Sequence, residues 1–226
     1  MRKLYHQPVD PFCRKVRLVL AEKGLEAALV EERPWEARAE FAALNPGLKV
    51  PVLIDQDPAG DAPVIAESNA IAEYVEEVYG PPRQLPGTAK ARAETRRLVQ
   101  WFDIGFEAEV GARVLRQKID NRLKGFGPPD VDRVRVGLDR LRYHLDYVSY
   151  LAETRNWLCG ERMTLADLTA AAHISCIDYL GDVPWRDFPH AKEWYARVKC
   201  RPAFRLLLAD YVPGLPPPRH YADLDF

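Results

Sequence analysis

Asn45-Pro46-Gly47-Leu48-Lys49-Val50-Pro51-Val52-Leu53-Ile54, followed by Ala66-Glu67-Ser68-Asn69-Ala70-Ile71-Ala72-Glu73-Tyr74, is the pair of segments whose reading decides the fold. Asn45-Pro46-Gly47 reads as a turn, because proline fixes φ and glycine accepts the positive φ of tight turns. Val50-Pro51-Val52-Leu53-Ile54 reads as a short buried strand opened by a proline, a place where cis peptide bonds concentrate. Such a bend leaves the Val50 amide and carbonyl facing outwards, able to pair with an extended peptide. Glu67-Ser68 precedes an apolar helical repeat of Ile71, Tyr74, Val75 and Val78. A helix start there aims free N–H groups and a hydroxyl at any carboxylate that docks.

Together these segments resemble the glutathione-binding half of a glutathione S-transferase, and the rest of the chain is similar to that family end to end. The resemblance implies an α/β plus all-α protein, with an N-terminal thioredoxin-like domain followed by a C-terminal helical bundle. It also implies that Val50, Pro51, Glu67 and Ser68 match the positions that contact the glutathione backbone and γ-glutamyl group.

Working outwards, residues 1–80 read as strand, helix, strand, loop, strand, strand, helix. Leu4 to His6 is a strand, and Cys13 to Lys23 is a helix with Val16, Val19 and Leu20 on one face, ended by Gly24. Ala27 to Val30 is the second strand. Pro51 to Ile54 and Pro63 to Ile65 make a hairpin around a loop of turn formers. Residues 81–88 are too rich in proline and glycine for regular structure and read as a linker. Residues 89–212 read as wholly helical. The stripe Val131, Val134, Leu138, Leu141, Leu145, Val148, Ala152 predicts a helix packed along its whole length. Thr164-Leu165-Ala166-Asp167 is a capping box, preceded by Met163 as a candidate staple, and it falls where this family carries its own. Residues 213–226 form an extended tail, because three consecutive prolines cannot continue a helix.

The chain has 226 residues, 47% hydrophobic and 29% charged, with a net charge of −1, an ordinary globular composition. No apolar run is long enough for membrane insertion, and no signal-peptide core follows Met1, so a cytoplasmic location is expected. Cys13, Cys159, Cys176 and Cys200 lie far apart without metal-ligand spacing, so free thiols and no metal are expected. Residues 89–124 hold nine basic and five acidic side chains. This basic helix, with Arg113, Arg116 and Lys118 as candidates, is the expected electrostatic contact with an acidic partner. No basic-aromatic pattern points to nucleic acid.

Members of the family activate glutathione with a Ser, Tyr or Cys near the end of the first strand. The matching stretch here is His6-Gln7-Pro8-Val9-Asp10-Pro11-Phe12-Cys13, which carries a carboxylate at the active position. An ionised Asp donates no hydrogen bond and raises a neighbouring thiol's pKa. Asp10 before Pro11 also reads as an ordinary helix N-cap. Cys13, in the first turn, and Tyr5, in the strand, are the remaining catalytic candidates if the chain is an enzyme. Glutathione would then be its co-substrate; otherwise no cofactor is required.

Two further features stand apart. Trp35 lies in the charged loop Glu31-Glu32-Arg33-Pro34-Trp35-Glu36, either folded against the domain or exposed as a partner anchor. The tail ends in Tyr221, Asp223, Leu224, Asp225 and Phe226, an acidic-aromatic run that either lies over the helical domain or serves as a docking element, and on the docking reading deletion of residues 213–226 would leave the protein folded. With Asp10, these features resemble a narrower group, the transferase-like cell-division proteins of alphaproteobacteria that bind the tubulin-like GTPase FtsZ. That resemblance implies a non-enzymatic homodimer that binds FtsZ filaments at the division site.

Overall fold

Four short strands form one mixed sheet in the order β2-β1-β3-β4: β1 Lys3–His6, β2 Ala28–Glu31, β3 Val52–Ile54 and β4 Val64–Ala66. β1 pairs parallel with β2 and antiparallel with β3, which is antiparallel to β4. The computed structural model describes residues 1–56 and 58–224. The parallel β1–β2 pair needs a crossover, and α1 (Pro11–Glu22) supplies it. A six-residue helix, α2 (Ala39–Leu44), stands where the sequence reads as loop, anchored by buried Phe41. It lacks the length for a periodic signal. α3 (Ser68–Val78) closes the sheet domain, burying Ile71, Ala72 and Val75.

The helical half begins with α4 (Ala89–Gln100), capped by the Thr88 hydroxyl. The backbone stays right-handed helical into Trp101–Asp120, a more loosely wound π-helical segment, and on into α5 (Asn121–Lys124). α6 (Val131–Thr154), α7 (Leu165–Tyr179), α8 (Pro189–Lys199) and α9 (Pro202–Leu208) complete it. α7 is the central rod: every one of its residues is buried. Its start is the expected capping box. The Asp167 carboxylate accepts the Thr164 N–H at 2.9 Å, and the Thr164 hydroxyl accepts from Ala166. Asp167 also takes the Leu158 N–H and the Trp194 indole, so one buried carboxylate ties three segments together.

The stripe on α6 is only partly covered. Leu141, Leu145 and Val148 are fully buried, but Val131, at its N-terminal end, is 79% exposed. The helix projects beyond its neighbours there, which its periodicity could not reveal.

α1 belongs to both halves, packing on α3 on one side and on α7 and α9 on the other. Its apolar face is therefore joined by three buried cations. Arg14 and Arg17 both pair with Asp210, at 3.0 and 2.8 Å, and Lys15 pairs with Asp103 at 2.5 Å. Arg201 reaches back to Glu22 at 2.6 Å.

Candidate binding cleft

The turn at Asn45 places the cleft's first wall. The Asn45 side chain accepts the Gly47 N–H and donates to the Lys49 carbonyl. The left-handed residue is Leu48 (φ 47°) rather than the glycine. The Val50–Pro51 bond is cis, which turns Val50 out of the sheet. β3 begins its ladder only at Val52. The second wall is the start of α3, where Glu67 is held at φ 71° and leaves the Ser68 end of the helix uncapped by any side chain. Such a start presents unsatisfied N–H groups. Val50 and Glu67 line one cleft of about 320 Å³, together with Gln7, Asp10, Phe12, Pro34, Trp35, Leu48, Lys49, Arg116 and Lys124. Pro51 and Ser68 are buried immediately behind it.

At the cleft floor Asp10 has β-region dihedrals and caps α1, its Oδ1 accepting the Cys13 N–H at 2.9 Å. Its Oδ2 accepts from Arg116 at 3.1 Å. Both carboxylate oxygens are therefore engaged, and the position offers no hydroxyl or thiol. Cys13 is fully buried. Burial pushes its thiol well up, the Asp10 charge adds to this, and the Gln7 N–H opposes it only in part. The helix N-terminus that should favour a thiolate is outweighed by desolvation. Tyr5 packs its ring on Phe41 at 5.8 Å and does not line the cleft.

The partner-binding candidates divide. Trp35 is half-buried at the cleft mouth, with the Lys124 ammonium 5.3 Å from its ring centroid, so the indole both folds against the helical half and borders the opening. Arg116 points inward to Asp10 and Glu107, and Lys118 is held by Asp182 at 2.6 Å. These two cations of the basic helix complete the fold. Arg113 hydrogen-bonds only the Ala108 carbonyl and has no carboxylate partner among the described residues.

Tyr221 corrects the docking reading of the tail. Its ring is fully buried against Tyr179 at 5.4 Å, and its hydroxyl donates to the Leu207 carbonyl. Asp223 is exposed and Leu224 half-buried. Asp225 and Phe226 lie outside the described residues. Among the described residues no cluster could hold a metal ion, and no helix is long and apolar enough to cross a membrane.

Comparison with known proteins places this geometry. The family profile for the glutathione S-transferase N-terminal domain matches residues 11–78, and that for the C-terminal domain matches residues 133–202. FtsZ-localized protein A of Caulobacter vibrioides is 49% identical over 225 residues, covering 100% of this chain and 98% of its own length. The solved structure of FzlA from C. crescentus superposes with a TM-score of 0.96 at 49% identity, covering 100% of this chain and 99% of that one. A glutathione S-transferase from Rhodospirillum rubrum F11 superposes equally well, with a TM-score of 0.96 at 50% identity over the whole of both chains. Matched by both domain profiles and by full-length relatives, the chain belongs to the glutathione S-transferase family.

Proposed function

We propose that this chain is a non-enzymatic, dimeric cell-division protein that binds and organises FtsZ filaments at the division site and promotes constriction. One observation carries the reading. At the position where the family activates a thiol, Asp10 is committed to capping α1 and to Arg116. A carboxylate there repels a thiolate instead of stabilising it. The full-length similarity to a protein described as FtsZ-localized supports the choice of partner. A dimer presents two copies of the binding surface, so a weak single contact gains avidity on a filament.

The test pairs two assays on the purified protein. Co-sedimentation with FtsZ polymer is expected, together with background-level glutathione conjugation. Robust conjugation without co-sedimentation would overturn the reading. Charge reversal at Arg113 is expected to weaken co-sedimentation and reduce its salt dependence, because this guanidinium has no carboxylate partner among the described residues. Unchanged binding would remove Arg113 from the interface.

A second reading, an active glutathione transferase, is favoured by the cleft itself. Its cis-proline wall and uncapped α3 start suit a peptide-like carboxylate. In that case calorimetry would detect glutathione binding, and turnover would survive Cys13→Ala and Tyr5→Phe, since neither side chain lines the cleft.

A further inference from the structure

Behind the cleft runs a chain of polar contacts that begins at its α3 wall and ends at its floor. Asn69, in the first turn of α3, accepts from Lys15 at 2.7 Å. Lys15 pairs with Asp103 at 2.5 Å, and Asp103 Oδ1 lies 3.1 Å from His173 Nε2. On the far side Arg116 joins Glu107 to Asp10. One link is open: His173 Nδ1 and Glu107 Oε2 stand 3.9 Å apart, and that oxygen is buried with no hydrogen-bond partner among the described residues.

The chemistry of the two atoms explains the gap. Burial pushes the Asp103 carboxyl up, but His173 and Lys15 together outweigh this and hold it below the usual range. An ionised Asp103 only accepts, so His173 donates through Nε2. In the neutral ring Nδ1 is then a lone pair facing a carboxylate oxygen, and the two repel. A proton on Nδ1 turns the same pair into a charge-assisted hydrogen bond. Room for the carboxylate exists because residue 111 is glycine: a Cβ there would lie 2.1 Å from Glu107 Oε2.

We propose that His173 and Glu107 form a proton-operated latch joining the α3 wall of the cleft to its Asp10 floor through the helical half. Protonated, His173 bridges Asp103 and Glu107 and closes the chain from Asn69 to Asp10. Neutral, it leaves Arg116 and the α1 N-terminus held from one side only. The charged groups around the ring suit this role. The π segment presents Asp103 and Glu107, α1 presents Lys15, and α6 presents His144, whose pKa burial lowers. Phe12 and Phe106 pack edge-on against the ring. α4 buries only Thr95, Leu98 and Val99, and Lys199 of α8 is engaged by Asp178 instead.

Hydrogen exchange of the full chain between pH 5 and 8, the range in which imidazoles change charge, tests this. After correction for intrinsic rates, amides of the first turn of α1 and of Glu107–Arg116 are expected to exchange about tenfold more slowly at the acid end, as one charge-assisted hydrogen bond would give. Glu107→Gln supplies an amide that donates to neutral Nδ1 while its oxygen still accepts from Arg116. It should therefore be protected at the neutral end and lose that protection at the acid end, where a protonated Nδ1 and the amide NH2 are both donors. Gly111→Ala displaces the carboxylate and should be unprotected at both. Protection that does not change with pH in the wild type, or that changes equally in both variants, would refute the latch. This readout needs no partner, so it stands apart from the FtsZ test.

Discussion

His6, at the end of β1, has a buried Nδ1 with no hydrogen-bond partner among the described residues. Burial, reinforced by Arg17, lowers its pKa from 6.5 to about 4. The sign of the consequence follows. The unfolded chain takes up a proton as pH falls through 6.5, and the native chain does not until about 4. Folding is therefore expected to lose roughly 3 kcal/mol across that window and to level off below it. Urea denaturation at pH 7 and pH 4.5 checks this: the wild type should lose most of that stability, and His6→Gln much less. A residual slope in the variant is expected from His144, whose pKa burial also lowers. Asp10 shows the same economy of scale, since one carboxylate caps a helix and binds the Arg116 guanidinium.

At the scale of elements, the tail contains two different pieces. Residues up to Tyr221 belong to the core: Tyr179 donates to the Leu215 carbonyl and accepts the Val212 N–H, and Tyr221 closes over it. Removing residues 213–226 strips out a buried ring and is expected to unfold or severely weaken the protein. Tyr221→Ala alone should cost about 3–5 kcal/mol, the usual range for emptying a buried aromatic site. Truncation after Ala222 spares that ring and should change stability by about 0.5 kcal/mol or less. Thermal melts of the two truncations separate the pieces. FtsZ co-sedimentation of the shorter truncation then asks whether residues 223–226 dock a partner.

For the molecule as a whole, residues 1–80 hold 9 basic and 14 acidic side chains and residues 81–226 hold 23 and 19, and part of this asymmetry is met by ion pairs between the halves. The basic helical half meets the acidic sheet half through Arg96–Glu73 and Arg116–Asp10, while α1 sends Arg14, Lys15 and Arg17 the other way. One exposed patch is apolar. Ile104 is 63% exposed, Tyr143 48% and Tyr150 60%, beside the Trp101 ring that touches Tyr143 and Tyr147. A face of this kind on the π segment and α6 suits the proposed homodimer. Ile104→Asp and Tyr143→Asp are expected to halve the mass seen by sedimentation without lowering the melting temperature of the single chain. A mass unchanged in both would move the dimer contact to another face.

Sequence alone determined what depends on neighbours a few residues apart. The proline-opened strand at Val50-Pro51, the helix start at Glu67-Ser68, the Asp10 cap and the Thr164–Asp167 box each rest on residues within about four positions, and each was legible. The bounds of β2 differ by one residue, Ala28–Glu31 against the expected Ala27 to Val30, because frayed ends carry no periodic signal. Tertiary structure alone decided the rest. Lys15 meets its carboxylate 88 residues away, Arg116 meets Asp10 across 106, and Arg14 meets Asp210 across 196. No local pattern marks such pairs: read along the chain, these cations look like solvated faces, Cys13 like a thiolate at a helix start, and Tyr221 like a loose tail. Long-range packing sets burial, and burial sets whether a charge is paired, whether a thiol ionises and whether an aromatic ring is surface or core.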